Sequence, residues 1–377
     1  MTKKQFLIIL FSIFLISCTK QRESFLIKGK IKNIPDSTVI ELYEYHDDFG
    51  KLIGTDTILN GNFEFEGIVG KSPSRMNISF SDWENYYGSC NLWVDNEIIQ
   101  IIGQNKYPSS WDVKSKNKEQ IALEKIKKET RELWIIGDSL RLLRAQNREN
   151  AELSNQIKKS IDSIGKIRLK LEFDLSVKNP NSLTAVEKLY RLAKLDPSID
   201  KEKVKLAYDK LNETYKNSLY GQGILETFKE NKVPEIGDKM INFNAYDTAG
   251  VNYVLTDFQG KYILLDFWHL GCGPCNDAIP ETIELHKNNQ ELLTIIGINL
   301  ISDEKLWIEK TKKEGISWIN LSDGKGTYAG VSAKYGILGL PTYFSINPEG
   351  IIIEKWMGYW DGVFNEKLTK HFEKLKI

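Results

Sequence analysis

Four cysteines carry the most specific chemistry in the chain, and two of them stand three residues apart in Leu265-Asp266-Phe267-Trp268-His269-Leu270-Gly271-Cys272-Gly273-Pro274-Cys275. The apolar run before this pair reads as a buried strand, and the residues after it read as the start of a helix. A free thiol titrates near about 8.5. At a helix N-terminus the unsatisfied N–H groups and the dipole favour the thiolate and bring it towards about 7. A thiolate is the species that attacks disulfides. Four cysteines are too few for a disulfide scaffold, and a lone CxxC argues against a four-thiolate zinc site. Cys90 stands alone in a β-patterned stretch and reads as a small buried apolar residue rather than a redox sensor. Cys18 closes an apolar run near the N-terminus.

These residues need elements to hold them. The chain has 377 residues, 41% apolar and 27% charged, which is globular and too long for one core. Lys plus Arg and Asp plus Glu are both 51, so nothing points to a nucleic-acid binder. From Ser24 to about Gly103 the pattern is one of short strands: Phe25 to Ile31, Val39 to Tyr45, Lys51 to Leu59 and Phe63 to Val69. Asn60-Gly61 predicts a tight hairpin between two of them, and Asp95-Asn96 offers a second. An antiparallel sandwich or partial barrel is expected, with Trp83, Trp93 and Trp111 as packing residues. From Lys114 to Val233 come long helical segments, broken at Asn179-Pro180 and Asp196-Pro197. They hold 26 basic and 18 acidic residues. We read this excess as solvated helix faces, with a docking surface for an acidic partner or an anionic membrane as the alternative. From Glu235 onwards, apolar runs (Tyr262 to Trp268, Leu292 to Leu300, Trp318 to Leu321, Tyr343 to Ile346, Ile351 to Trp356) alternate with helical stretches after Cys272, around Leu306 and around Phe372. That is an α/β sheet covered by helices.

The Cys272 segment resembles the active site of thioredoxin, as do Pro280 inside the following helix and Gly339-Leu340-Pro341-Thr342 before the next strand. The resemblance covers roughly Pro234 to Ile377. The lead-in from Ile236-Gly237-Asp238 to Phe258-Gln259-Gly260-Lys261, and a helix inserted after Asn299, are similar to the TlpA/ResA-type thiol-disulfide oxidoreductases. The strand-Asn-Gly-strand pattern resembles the β-rich domain of unknown function that precedes such domains in bacterial lipoproteins. The resemblance implies a Cys272–Cys275 disulfide, with Cys272 as nucleophile and Cys275 as resolving thiol. It also implies a cis Leu340-Pro341 peptide that, with Gly273 and Pro274, receives an extended substrate, and no metal, flavin or nucleotide cofactor. Asp266, in the position of thioredoxin's buried aspartate, becomes the candidate base for Cys275, its pKa raised by desolvation. Two departures stand out. Ala278 replaces an acidic residue common three positions after the second cysteine, and Gly271 replaces a common tryptophan. His269 reads more readily as a packed strand-end residue than as a tuner of Cys272. It also occupies the place where a peroxidase of the wider superfamily carries a threonine, which argues against that activity.

Lys3-Lys4 followed by the apolar run Phe6 to Ile16 reads as a signal peptide too short to span a membrane. Its end, Leu15-Ile16-Ser17-Cys18, resembles the lipobox of bacterial lipoproteins, which implies lipidation of Cys18. Thr19 after it, being other than Asp, points by lipoprotein sorting patterns to the outer membrane. The expected organisation is signal peptide 1–17, lipid-anchored linker 18–23, β-rich domain 24–112, helical region 113–232 and thioredoxin-like domain 233–377. The expected function is reduction of protein disulfides in the cell envelope on the periplasmic side. A membrane electron donor would recharge the dithiol, and apocytochrome c or mis-oxidised proteins would accept the electrons. A disulfide oxidase or isomerase, and a non-catalytic lipoprotein adaptor, are the alternatives.

Overall fold

The computed structural model describes residues 22–46, 49–70, 73–82, 84–196, 199–229, 233–300 and 303–371. The leader, Cys18, Trp83, Pro197 and Phe372 lie outside the described residues.

Eight strands come first: β1 (Phe25–Ile31), β2 (Val39–His46), β3 (Phe49–Thr57), β4 (Asn62–Gly67), β5 (Ser74–Phe80), β6 (Cys90–Val94), β7 (Ile98–Gly103) and β8 (Asp112–Lys114). They form two four-stranded sheets, ordered β4-β1-β7-β8 and β3-β2-β5-β6. Side chains alternate across each strand, so one face of each sheet is apolar. Ile27 and Ile99 from one sheet meet Ile40 and Ile78 from the other in a single core that also takes Trp111 and Cys90. Burial pushes the Cys90 thiol up to about 12, the behaviour of a packing residue.

The pairing corrects three expectations. β1 and β7 run parallel, so the sandwich is not wholly antiparallel. Asn60 and Gly61 do form the tight hairpin turn, with φ of 51° and 73° and an antiparallel Leu59–Asn62 bridge closing it, but beyond that bridge β3 and β4 enter different sheets. Asp95-Asn96 makes no hairpin, because β6 pairs with β5 and β7 with β1. At Asn60-Gly61 the local φ preference sets the turn, whereas neither Asp95 nor Asn96 takes a positive φ, and in both places packing of the apolar faces chooses the partner strand.

Six helices follow: α1 (Lys118–Gln146), α2 (Ala151–Lys178), α3 (Leu183–Leu195), α4 (Lys201–Asp209), α5 (Glu213–Lys216) and α6 (Leu219–Phe228). Each starts where a side chain accepts a hydrogen bond from an orphan N–H: Asn117, Asn150, Ser182, Asp200, Asn212 and Ser218 respectively. The sandwich is joined to them by Trp93, whose indole donates to Thr184 Oγ1 at 2.9 Å. No helix among the described residues is long and apolar enough to cross a membrane.

The remaining chain builds a seven-stranded sheet, ordered β10-β9-β13-β12-β11-β14-β15, from β9 (Asn244–Asp247), β10 (Asn252–Val254), β11 (Tyr262–Trp268), β12 (Leu293–Asn299), β13 (Ile319–Ser322), β14 (Thr342–Ile346) and β15 (Ile352–Met357). Strands β11, β12 and β13 are parallel, whereas β14 and β15 are antiparallel. Covering helices are α7 (Gly273–Asn289), α8 (Glu304–Lys313), α9 (Gly330–Lys334) and α10 (Val363–Leu368). This is the thioredoxin-like arrangement, with α8 as the inserted helix. The last described helix lies before the stretch expected around Phe372. Tyr328 ties this unit to the helical region, packing edge-on against Tyr190 at 5.3 Å and against Tyr220 at 4.7 Å.

The turn between β3 and β4 offers a test of the sandwich. A Cβ on Gly61 would lie 2.4 Å from the Ile31 carbonyl oxygen, at a φ that L-residues avoid. Gly61→Ala is expected to cost about 1–3 kcal/mol, read as a lower midpoint in urea denaturation.

Candidate active site

The redox pair sits where β11 ends and α7 begins. Cys272 is the N-cap of α7, and its Sγ accepts from the Cys275 N–H at 3.1 Å. The two sulfurs are joined in a disulfide. Gly273 and Pro274 are exposed in the first turn, where the missing proline N–H is not needed. Cys272 is half-buried, whereas Cys275 is only 4% exposed. An incoming disulfide can therefore reach the first sulfur and not the second.

β11 is an interior strand of the redox sheet, paired along its length with β12 and β14. Leu265 and Phe267 point into the core on one side of the sheet. The alternate residues face α7: Leu264 packs with Ile279 and Leu285, and Trp268 with Cys275. Asp266 lies between Leu264 and Trp268 in that alternation, beneath the first turns of the helix. Its Oδ1 is buried with no hydrogen-bond partner among the described residues. Desolvation raises its pKa to about 7. Ala278, which stands in for the common acidic residue, is itself buried, so it leaves no competing carboxylate at its own position.

His269 is buried at 3% exposure, and it clasps the approach to the cysteines. Its Nδ1 accepts from the Gly271 N–H at 3.1 Å, while its carbonyl accepts from the Cys272 N–H at 3.0 Å. Gly271 carries no side chain over this turn and is exposed. Across from the pair, the Leu340-Pro341 peptide is cis. Leu340 packs into the cluster that holds both cysteines. Both ladders of β14 end at Thr342, so Leu340 lies beyond them. The Gly358 N–H donates to the Pro341 carbonyl at 2.8 Å and brings the end of β15 alongside.

Sequence reasoning missed two parts of this surface. The inserted helix α8 supplies Trp307, which packs with Trp268, Leu270 and Cys275. Leu338 and Met357 are 66% and 61% exposed on either side of Gly339, where a Cβ would meet the Met357 sulfur at 2.6 Å. Neither carries a motif. Their significance comes from standing beside the cis peptide.

This geometry defines a thioredoxin-like redox site, and the comparisons with known proteins agree. The model of the AhpC/TSA family matches residues 236–355. A thiol-disulfide oxidoreductase ResA of Bacillus cereus is 30% identical over 132 residues, covering 35% of this chain and 75% of its own. The thioredoxin-like protein YneN of Bacillus subtilis is 26% identical over 144 residues, 37% of this chain and 81% of its own. Among solved structures, the thioredoxin domain of a thiol-disulfide oxidoreductase from Bacteroides vulgatus has 27% identity and a TM-score of 0.33, covering 35% of this chain and 94% of that domain. The chain belongs to the ResA family of thiol-disulfide oxidoreductases.

Burial of Asp266 has a consequence for stability. Unfolded, the carboxyl loses its proton near 3.8; folded, it loses it near 7. Between those pH values the native state binds more protons than the unfolded state, so this group's effect on stability becomes less favourable as pH rises from about 4 to about 7. Asp266→Asn removes the effect. In chemical denaturation of the oxidised protein the variant should gain up to roughly 4 kcal/mol relative to wild type at pH 8, at about 1.4 kcal/mol per pH unit, and far less at pH 4. An equal difference at both pH values would show that the carboxyl titrates normally.

Proposed function

We propose that the protein reduces protein disulfides outside the cytoplasm, anchored to a membrane by lipid on Cys18. The observation that carries the redox part is the buried Asp266 carboxylate beneath a helix-capping Cys272 and a buried Cys275. The anchor rests on Leu15-Ile16-Ser17-Cys18 after the apolar run, and the periplasmic side and outer membrane rest on the same leader and Thr19.

The cycle starts from the dithiol. The Cys272 thiolate attacks one sulfur of a target disulfide, forming a mixed disulfide and releasing the first target thiolate, which takes a proton from water. Asp266 accepts the proton of the Cys275 thiol. The resulting thiolate attacks Cys272 Sγ, closing the Cys272–Cys275 bond and releasing the second target sulfur as a thiolate, which takes a proton from water. Two electrons pass from enzyme to target, and a membrane dithiol donor returns them. Leu340 and Pro341 receive the target backbone with Gly273 and Pro274, while Leu338 and Met357 offer it apolar contacts. Apocytochrome c and mis-oxidised proteins fit as targets on the family resemblance.

Direction is tested by the potential. Equilibration with glutathione should place the pair near about −270 mV, whereas about −120 to −180 mV would assign an oxidase or isomerase. Wild-type protein should reduce insulin disulfides, and Cys272→Ser should abolish this. An inactive wild type would favour a lipoprotein adaptor. Asp266→Asn should slow turnover near pH 7 by about 10-fold or more, within the range of general base catalysis, with the fold intact by circular dichroism. Cys275→Ala should accumulate mixed disulfides that name the targets.

The exposed apolar pair gives a separate test. Replacing Leu338 and Met357 together by Ser should lower kcat/KM for insulin several-fold while leaving the reaction with dithiothreitol unchanged. A parallel loss with both would place these residues in the stability of the site rather than in target binding.

A further inference from the structure

The end of the sandwich from which β1 starts carries exposed isoleucines beside a group of lysines. Three register pairs bring its parts together: Phe25 faces Gly67 of β4, Leu26 faces Ile98 of β7, and Gln100 of β7 faces Lys114 of β8. Ile68 follows Gly67, and the next residue, Val69, donates its N–H to Asn96 Oδ1 at 2.9 Å, which keeps this segment at the same end. The start of α1 is clasped here as well. The Glu97 carboxylate accepts from the N–H groups of Lys116 and Asn117 at 2.9 and 3.1 Å, while the Glu97 carbonyl accepts from the Leu26 N–H at 2.8 Å. Ile68, Ile98 and Ile121 are 76%, 50% and 43% exposed.

The charges at this end are distributed unevenly. On the β4 side each cation has its anion: Arg22 lies 3.2 Å from Glu66, and Lys28 lies 3.3 Å from Glu64. On the β8 and α1 side Lys114, Lys116, Lys125 and Lys128 are exposed, and none of them makes an ion pair among the described residues. Helical spacing puts Ile121, Lys125 and Lys128 on one face of α1, where together with Lys114 they line a shallow open groove. Glu124 reaches the same groove, but its carboxylate is matched by Lys127. Of the exposed carboxylates without a cation, Glu23 precedes β1 and Glu129 follows Lys128, which leaves the lysines in excess.

We propose that this end of the sandwich lies on an anionic membrane surface, with Lys114, Lys125 and Lys128 against lipid headgroups and Ile98 and Ile121 at the apolar boundary. Anionic leaflets attract clustered lysines, and isoleucine side chains gain by leaving water at the interface. Position favours a membrane over an acidic protein. Cys18 stands seven residues before Phe25, a span of at most about 25 Å, so a lipid on it would hold the start of β1 close to the bilayer. The Ile31 end of β1 is about 20 Å further away. In this respect the inference rests on the reading of Cys18 as the anchor, whereas the lysine and isoleucine surface stands on its own geometry.

Lysine acetylation read by mass spectrometry tests this on the full chain as isolated from membranes and returned to vesicles. In phosphatidylcholine vesicles with about 30% phosphatidylglycerol, Lys114, Lys116, Lys125 and Lys128 should react about threefold or more slowly than in pure phosphatidylcholine, and the contrast should fade in high salt. Lys32, exposed just past the far end of β1, should react equally in both. Changing Lys114, Lys125 and Lys128 together to Gln, with the fold checked by circular dichroism, should return Lys116 to its rate in the neutral vesicles. Equal reactivity of the four lysines in both vesicles overturns the proposal and leaves them to an acidic protein, as does equal slowing of Lys32. The same digests show whether Cys18 is acylated, so the two readings fail separately. Acylated protein with evenly reactive lysines keeps the anchor and loses this face, whereas unacylated protein with the four lysines protected keeps the face and loses the anchor.

Discussion

The redox end of the molecule depends on one desolvated carboxylate. Asp266 is on an interior strand of the redox sheet, on the face where Leu264 and Trp268 pack with the helix that presents the cysteines. With no hydrogen-bond partner at Oδ1, the ionised form is unfavourable, and the group holds its proton up to about 7. Its effect reaches Tyr343, its register partner on β14, whose hydroxyl is raised well above its usual value by burial first and by the Asp266 charge second. A group poised near neutrality can both take and return a proton. The rest of the site is arranged around that property: Cys275 is buried over it, Cys272 faces solvent, and Leu340 with Pro341 closes the opposite side.

Local chemistry made part of this legible in the amino-acid sequence. A strand, a CxxC and a helix start are contiguous, and each helix of the middle region opens at a capping residue next to an amphipathic run. Asp266 could be singled out because it stands on the strand before the CxxC, in a position that resembles that of thioredoxin's buried aspartate. What stayed hidden was non-local. Nothing around Asn60-Gly61 distinguishes a hairpin within one sheet from a turn between two, since both need the same positive φ. Trp307 reaches the cysteines only through the packing of α8, more than thirty residues along the chain. Leu338 and Met357 look like core residues in any hydropathy pattern, and only their exposure beside the cis peptide gives them a different meaning.

The middle region shows the limit of reading charge as a sum. Between Lys114 and Val233 the excess is real, but sign and number do not say which side chains face water. Helical periodicity brings Arg168 and Glu172 together at one turn's spacing on α2, and Glu187 and Arg191 likewise on α3. The meeting of the two helices then turns these pairs towards each other and towards Arg75 of the sandwich. A charge pattern that would be a surface ladder on an isolated helix becomes the wall of a cavity between the helices and the sandwich. On α3 the residues between and after these, Tyr190 and Lys194, meet the thioredoxin-like unit instead: Tyr190 packs on Tyr328, and Lys194 donates to the Thr327 carbonyl. One helix therefore fixes the sandwich, the cavity and the redox unit together.

Asp266 and Glu187 resolve the same problem in opposite ways. Both carboxylates are withdrawn from water, and burial raises the proton affinity of each. Around Asp266 no cation answers among the described residues, so the proton itself neutralises the charge and the group becomes an acid–base element near pH 7. Around Glu187 the charges of Lys188, Arg75 and Arg191 outweigh desolvation, and its pKa falls below the ordinary value. Glu187 is thereby favoured as an anion. The difference follows from neighbours alone, since apolar side chains of the sheet and of α7 surround one group, and the cations Arg75, Lys188 and Arg191 surround the other. It separates a site built to exchange protons from a network of ion pairs that holds charge in place.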